Sequence, residues 1–87
     1  MEGFFIGQII LVSFNNIPQG FVPCEGQSVS PRNEGGHRWD AVYSLLGDKF
    51  GYDFAKNEFK LPDLRGKSPD PSLRYLICVD GVYPTPQ

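Results

Sequence analysis

Residues 57–67, with the sequence NEFKLPDLRGK, limit the possible folds of this chain more than any other stretch. Pro62 fixes its own φ angle and keeps Leu61 out of the helical region, so the backbone here must run extended. Asp63 and Arg65 are two residues apart, which places both side chains on one side of an extended backbone, close enough to pair. We therefore predict an ordered loop whose charged pair satisfies backbone groups that water cannot reach.

Apolar residues and a glycine complete this loop. Phe59, Leu61 and Leu64 are expected to pin it to the core, because the segment is too short and too broken by proline to be a helix. Gly66 then permits a turn with positive φ. We assign a structural role, and no catalytic one, to Phe59, Leu61, Pro62, Asp63, Leu64, Arg65 and Gly66.

Length and composition indicate one small domain over residues 1–87. The chain is 40% apolar and 14% aromatic, which is enough for a core near the lower size limit of a single domain. Ten glycines and eight prolines predict a large share of turns and irregular loops. The formal net charge is −2 and the basic residues are scattered among acids, so we expect no nucleic-acid partner.

Residues 4–14 are apolar enough to raise the question of a membrane segment. Gly7, Gln8 and Ser13 interrupt the run, which falls short of the ~20 apolar residues that a spanning helix needs. A basic leader and a small-residue cleavage site are also missing, so we expect neither membrane insertion nor a signal peptide. The run instead predicts the first strand, buried on both faces in its middle because its apolar residues do not alternate strictly.

One amphipathic helix is predicted over residues 37–46. Its buried face follows the i, i+3, i+4, i+7 pattern and comprises Trp39, Val42, Tyr43 and Leu46. Gly47 stands where a glycine would end the helix.

Two further strands are predicted on either side of this helix. Residues 21–24 are apolar, and Pro23 confines them to an edge or irregular strand. Residues 73–79 form the last strand, with alternate side chains on opposite faces. One face carries Leu73, Tyr75, Ile77 and Val79, and the other carries Arg74, Leu76, Cys78 and Asp80.

Candidate contact surfaces come from a polar loop and from aromatic residues. Residues 28–36 are predicted to be the least structured part. They are either extra loop length without a function or a place where a function was added. The candidate partner contacts there are Arg32, Asn33, Glu34, His37 and Trp39. We expect Phe50, Tyr52 and Phe54 to cover the core from a loop. Alternatively, Tyr52 and Phe54 with Tyr83 present a flat apolar area to a protein or, less favoured, to a cell-surface glycan.

Catalytic and metal sites are not indicated. His37 is the sole histidine, and a Cys24–His37 dyad is much less favoured than a solvated loop histidine. Cys24, Cys78 and His37 lack the Cys-x-x-Cys spacing of a zinc site, and no phosphate-binding loop is present. We therefore expect no enzyme activity, no metal and no cofactor. The two cysteines are expected to be buried free thiols, although one disulfide between them stays open.

Motifs along nearly the whole chain resemble the phage tail-collar domain family, which includes the bacterial proteins named microcystin-dependent. Residues 59–67 resemble the family signature Phe-x-Leu-Pro-Asp-Leu-Arg-Gly-(Arg/Lys). Other family elements are matched, in the family's order, by residues 7–10, 17–27, 43–51 and 75–84. Phe21 stands where the family usually has Trp.

The resemblance implies a small, loop-rich α+β domain with a few strands and one amphipathic helix. It also implies a non-catalytic structural or adhesion domain of a tail fibre or baseplate, with a receptor or assembly contact, often as a homotrimer. Many relatives carry a long Gly-rich insert where this chain has only residues 68–72. The alternative is a stand-alone interaction module, of phage or prophage origin, that binds a host protein. The expected location is the virion tail or the cytoplasm of the producing bacterium.

Overall fold

The computed structural model describes residues 3–32 and 38–84. Its elements, in chain order, are β1 (Ile9–Val12), β2 (Phe21–Pro23), β3 (Ser28–Val29), α1 (Trp39–Leu46), β4 (Tyr52–Asp53), β5 (Glu58–Lys60) and β6 (Arg74–Cys78). The strands form two antiparallel sheets, with the orders β1-β6-β2 and β3-β5-β4. This confirms the predicted small α+β domain with a few strands and one helix.

The last strand, β6, lies in the middle of the first sheet and is buried on both faces. Ile77 packs in the larger core cluster with Phe59, whereas Leu76 packs in a smaller cluster with Val12 on the other face. Both Leu76 and Ile77 are fully buried. The predicted alternation of this strand between two faces is confirmed, although the strand is shorter than the predicted range 73–79.

The first strand differs from its prediction. Residues 4–14 were expected to form one strand buried on both faces, but β1 covers only Ile9–Val12. Ile9 and Leu11 are 38% and 40% exposed, because β1 lies at the edge of its sheet and one row of its side chains extends past the core. The prediction of burial on both faces was therefore wrong.

A bulge at Gly7 explains why the strand is so short. The Gly7 N–H donates to the Cys78 carbonyl at 2.8 Å, and the Cys78 N–H donates to the Gln8 carbonyl at 2.9 Å. Gly7 and Gln8 thus lie opposite the single residue Cys78, and Gly7 has a φ of 89°. This is the bulge in which a glycine takes the left-handed conformation. It breaks the regular ladder just before β1.

The second strand, β2, lies at the opposite edge of this sheet, as was predicted from the presence of Pro23. Pro23 stands across from Leu76, and the next residue, Cys24, donates its N–H to the Tyr75 carbonyl at 3.2 Å. Since backbone groups alternate in direction along a strand, the missing N–H of Pro23 faces away from β6. The proline therefore costs the sheet no hydrogen bond.

The helix α1 covers the larger core cluster and begins at Trp39. The predicted start, His37, lies outside the described residues. Val42 is fully buried, and Gly47 ends the helix with a φ of 57° and an N–H that donates to the Tyr43 carbonyl at 2.7 Å. Within residues 3–32 and 38–84, no helix has the length and apolar character needed to cross a bilayer.

None of the three strands of the second sheet was predicted from the sequence. Residues 50–54 and 57–67 were expected to be loops, but Tyr52–Asp53 form β4 and Glu58–Lys60 form β5. Residues 28–36 were expected to be the least structured part, but Ser28–Val29 form β3 and pair with β5. The Leu61 N–H extends this contact by donating to the Gln27 carbonyl at 3.1 Å. Two polar-flanked residues carry no local strand pattern, so only the long-range hydrogen bonds reveal β3.

Candidate functional site

The signature loop, residues 59–67, is anchored by apolar side chains. Phe59 and Leu61 are 0% and 1% exposed, and Pro62 is among the largest fully buried side chains. The Phe59 ring packs against Tyr43 of α1 with 5.0 Å between centroids. Leu64 is only partly buried. The apolar half of the loop is thus part of the main core and joins β5 to α1.

Backbone hydrogen bonds fasten the loop to residues 24–27. The Leu64 N–H donates to the Cys24 carbonyl at 2.9 Å, and the Gly26 N–H donates to the Pro62 carbonyl at 3.2 Å. A Cβ at Gly26 would lie 3.1 Å from the Cβ of Asp63, and Gly26 has a φ of 72°. Only glycine fits this position without strain. The loop and the turn at residues 24–27 therefore form one rigid unit.

The predicted pair of Asp63 and Arg65 forms, with both contacts of a forked ion pair. The Arg65 Nε donates to Asp63 Oδ1 at 2.9 Å and Nη2 donates to Oδ2 at 2.8 Å. The side-chain and backbone hydrogen bonds from Arg65 lower the pKa of Asp63 to about 2. The Arg65 N–H also donates to Oδ1 at 3.2 Å. The pair thus closes the turn that Gly66, with a φ of 77°, completes.

The predicted burial of this pair was wrong. The side chains of Asp63 and Arg65 are 47% and 66% exposed, so the pair lies at the surface. The carboxylate holds the Arg65 N–H, which is also exposed. The buried side of the loop is closed by apolar residues and by backbone hydrogen bonds to residues 24–27.

A small cleft of about 190 Å³ lies between the signature loop and the start of β6. Its walls include the apolar Cys24, Leu64 and Leu73 and the charged Glu25, Arg65 and Arg74. Ligand pockets usually measure about 300–1,000 Å³, so this cleft is too small for a typical ligand. The guanidinium of Arg65 is also already engaged by Asp63.

The two cysteines are free and buried, as predicted. Cys24 lies in the larger core cluster and Cys78 in the smaller one, on the other face of the first sheet. Desolvation by burial raises the pKa of Cys24 to about 11 and also raises the pKa of Cys78. Both thiols are therefore protonated and poor nucleophiles at neutral pH. In the part of the chain that the structure describes, no three His, Cys, Asp or Glu side chains cluster as metal ligands.

The candidate contacts near the polar loop divide into three kinds. Arg32 is exposed at the end of the first described segment. Asn33, Glu34 and His37 lie outside the described residues. Trp39 is 9% exposed and packs in the larger core cluster, so little of its indole is available to a partner.

The aromatic residues do not act as one group. Tyr52 is partly buried against the core, as expected, but it lies in β4 and not in a loop. Phe50 and Phe54 are 38% and 81% exposed. The expectation that all three cover the core was wrong for Phe54, which extends from the turn between β4 and β5, with 5.0 Å between the centroids of its ring and the Tyr52 ring. The Tyr83 hydroxyl bonds instead to Ser44 of α1 at 2.7 Å.

An exposed apolar surface along the N-terminal segment was missed by the sequence reasoning. We call it the uncharged surface, because residues 3–24 contain no Asp, Glu, Lys, Arg or His. Its most exposed large side chains are Phe5, Ile9, Leu11, Phe14 and Ile17, between 38% and 49%. The signal was present in the sequence as the long gap between Glu2 and Glu25. Large exposed apolar areas commonly mark contact sites.

The structure thus combines a signature loop bonded to residues 24–27 with an exposed apolar N-terminal segment. The family model Phage Tail Collar Domain matches residues 7–69 of the chain. The chain therefore belongs to this family, which makes it a structural domain related to phage tail fibres; the family is not known as enzymatic. No curated protein and no solved structure gave a significant match.

Proposed function

We propose that this chain is a non-catalytic component of a phage tail fibre or baseplate that makes assembly contacts through its protein surface. The observation that carries the proposal is the family match over residues 7–69. The locked signature loop supports it, because backbone hydrogen bonds to residues 24–27 hold a rigid scaffold from which surfaces can be presented. Its place is then the virion tail, and self-association, for which the family resemblance implies a trimer, is one form of the assembly.

The connector at residues 68–72 favours an assembly contact over a receptor contact. Asp70 Oδ1 accepts the Ser72 N–H at 2.8 Å and the Ser72 hydroxyl at 2.6 Å. These bonds lower the pKa of Asp70 and close a tight polar turn. A turn this short has no room for the long variable insert that the family resemblance implies at this position, so we assign the contact to the exposed surface of the domain itself.

The test is to locate the chain in particles from the bacterium that produces it. An antibody raised against the purified chain should label the tails of negatively stained particles, and the chain should remain with those particles through a density gradient. Particles that lack the gene are the control for labelling. If the chain stays entirely in the soluble cell fraction while tails are made, the proposal is overturned.

A second candidate function is binding of a host protein by a stand-alone module. A shallow polar groove supports it, lined by Ser30, Pro31, Arg32, Tyr52, Lys56, Asn57 and Glu58. Arg32 belongs to the contact loop suggested by the sequence, and the neighbouring ring of Phe54 is where a glycan would stack if the ligand were a sugar. Cross-linking in cells should then capture one host protein, and Arg32→Glu should abolish the capture while Lys67→Glu, outside the groove, retains it. Capture that is equal for both variants would argue against this site.

A further inference from the structure

We propose that the outer edge of β1 pairs antiparallel with β1 of a second copy of this chain, which joins two three-stranded sheets into one of six strands. The inference rests on the proposed function, since it names the surface through which an assembly component would contact itself. It begins from the order β1-β6-β2, which leaves β1 with a strand on one side only.

The direction of the backbone groups in β1 follows from the bulge. Cys78 exchanges hydrogen bonds with Gly7 and Gln8, so Ile10 and Val12, two and four residues after Gln8, face β6 in the ladder. The N–H and C=O groups of Ile9 and Leu11 therefore point away from β6. Among residues 3–32 and 38–84, neither residue makes a backbone hydrogen bond outside the strand ladder. The edge presents two donors and two acceptors.

The opposite edge of the same sheet is closed. In β2, the residues whose backbone groups point outward are Phe21 and Pro23, because Val22 faces Ile77. The Phe21 N–H already donates to the Pro18 carbonyl at 3.2 Å, and Pro23 has no N–H. Neither outward position offers a free donor, so a head-to-tail contact of β1 with another copy's β2 is disfavoured. A symmetric contact of β1 with another copy's β1 is not disfavoured, because both edges offer donors and acceptors.

The chemistry of β1 matches that of a second β1. Natural proteins protect an exposed edge with charged residues, proline or a bulge. The bulge at Gly7 precedes β1, but Ile9–Val12 contain neither a charged residue nor a proline. A charged partner segment would leave its charges unpaired against Ile9 and Leu11. The other outer strands described differ: β4 contains Asp53, and β3 has only two residues. Of the strands described, the second copy's β1 is the one that offers a matching uncharged edge.

The pairing fixes one register. A two-fold axis at Ile10 places Ile9 opposite Leu11 of the partner subunit, and Leu11 opposite the partner's Ile9. These two pairs can form four N–H···O=C bonds, because all of their backbone groups point across the new interface. The exposed side chains of Ile9 and Leu11 would then form one continuous apolar row on a single face. Such a closed contact uses the same patch twice and ends at the dimer.

The first test is the solution mass of the full chain by sedimentation velocity from low to high micromolar concentration. The solution mass of the wild-type protein should approach twice the 9.7 kDa of the chain as concentration rises, while the Leu11→Lys variant should stay monomeric. Phe54→Lys is the matched control, because Phe54 is 81% exposed and lies in the turn between β4 and β5, away from β1, and it should dimerise like wild type. A monomer at all concentrations, a trimer, or a dimer that Leu11→Lys leaves unchanged would overturn the proposal.

The second test is residue-resolved amide exchange of the unmodified protein, which does not depend on a variant that folds. The amides of Ile9 and Leu11 should exchange about tenfold more slowly, or slower still, at high concentration, while the amide of Phe54 should not change. Fast exchange of both amides in a proven dimer would place the interface elsewhere. Antibody labelling of tails does not depend on β1, so labelled tails with a monomeric chain would refute this inference and leave the proposed function intact.

Discussion

At the scale of single residues, the ion pair of Asp63 and Arg65 fastens the exposed end of the signature loop. Its two charge-assisted contacts are 2.8 and 2.9 Å long, which is the fork geometry that arginine and carboxylate favour. Exposed pairs contribute little to stability when isolated. Here the same carboxylate also accepts the Arg65 N–H, so the pair selects the conformation of the turn before Gly66.

Asp63→Asn should lower the urea midpoint at neutral pH and make it less sensitive to acid. The contacts with Arg65 lower the pKa of Asp63 to about 2 in the folded chain, compared with about 3.9 for an unfolded Asp. The carboxylate therefore stabilises the fold fully above about pH 4, and this contribution is lost as the pH falls through about 2. The midpoints of wild type and variant should converge there. Asp48→Asn, at an exposed aspartate after α1, controls for the charge; equal midpoints for both variants at neutral pH would contradict the role.

Two glycines should be intolerant of alanine for different reasons. A Cβ at Gly81 would lie 2.5 Å from the Phe4 carbonyl oxygen and 2.9 Å from the Cys78 Sγ, so Gly81→Ala should cost about 1–3 kcal/mol through overpacking. Gly66 has open space but a φ of 77°, so Gly66→Ala should cost about 1–2 kcal/mol through backbone strain. Gly66→Asn, which tolerates this φ better, should recover part of the loss, whereas Gly81→Asn should not. Thermal unfolding of the four variants measures both effects, and recovery at Gly81 would refute the steric explanation.

At the scale of elements, the strand β5 links the second sheet to α1. Phe59 contacts α1 through Tyr43, and β5 is the middle strand of the second sheet. The turn before β5 is different, because Phe54 is 81% exposed. These two aromatic residues, five apart in the chain, have opposite roles.

Phe59→Ala should destabilise the fold by about 3–5 kcal/mol, since it removes a fully buried ring and leaves a cavity. That is a large share of the about 5–15 kcal/mol that holds a typical domain folded. Phe54→Ala should change the stability by less than about 0.5 kcal/mol. Urea titrations followed by fluorescence of Trp39, the sole tryptophan, report both values because this residue is in the core. Similar losses from the two substitutions would contradict the assignment.

At the scale of the whole molecule, the first and the last strand pair with each other in the first sheet. The strand β6 lies between β1 and β2, and the Ile6 N–H donates to the Val82 carbonyl at 2.9 Å. The family match ends at residue 69, before this central strand begins. The matched region therefore lacks the strand that holds its own β1 and β2 together.

A chain that ends at residue 69 should not fold. Without β6, the strands β1 and β2 lose the partner that both require, and both core clusters lose fully buried residues such as Leu76 and Ile77. Circular dichroism and amide exchange should show an unfolded chain, and a synthetic peptide of residues 70–87 should restore protection when added. The full chain under the same conditions is the control. A cooperative unfolding transition in the truncated chain alone would show that β6 is dispensable.

The sequence by itself determined the features that depend on neighbours along the chain. Pro62 excluded a helix in the signature loop, Pro23 restricted its strand to an edge, and Gly47 ended α1, because each acts through its own backbone angles or its own missing N–H. The alternation of β6 between two faces followed from the geometry of any strand. The approach of Asp63 to Arg65 followed from their spacing.

Only the tertiary structure decided which of these surfaces meet the core. Ile9 and Leu11 belong to an apolar run, yet they are exposed because β1 became the edge strand. The carboxylate of Asp63 points outward because apolar side chains already close the loop. The two residues of β3 form a strand only because β5 lies beside them. Burial and strand pairing depend on distant parts of the chain, and these contacts are not encoded in local spacing.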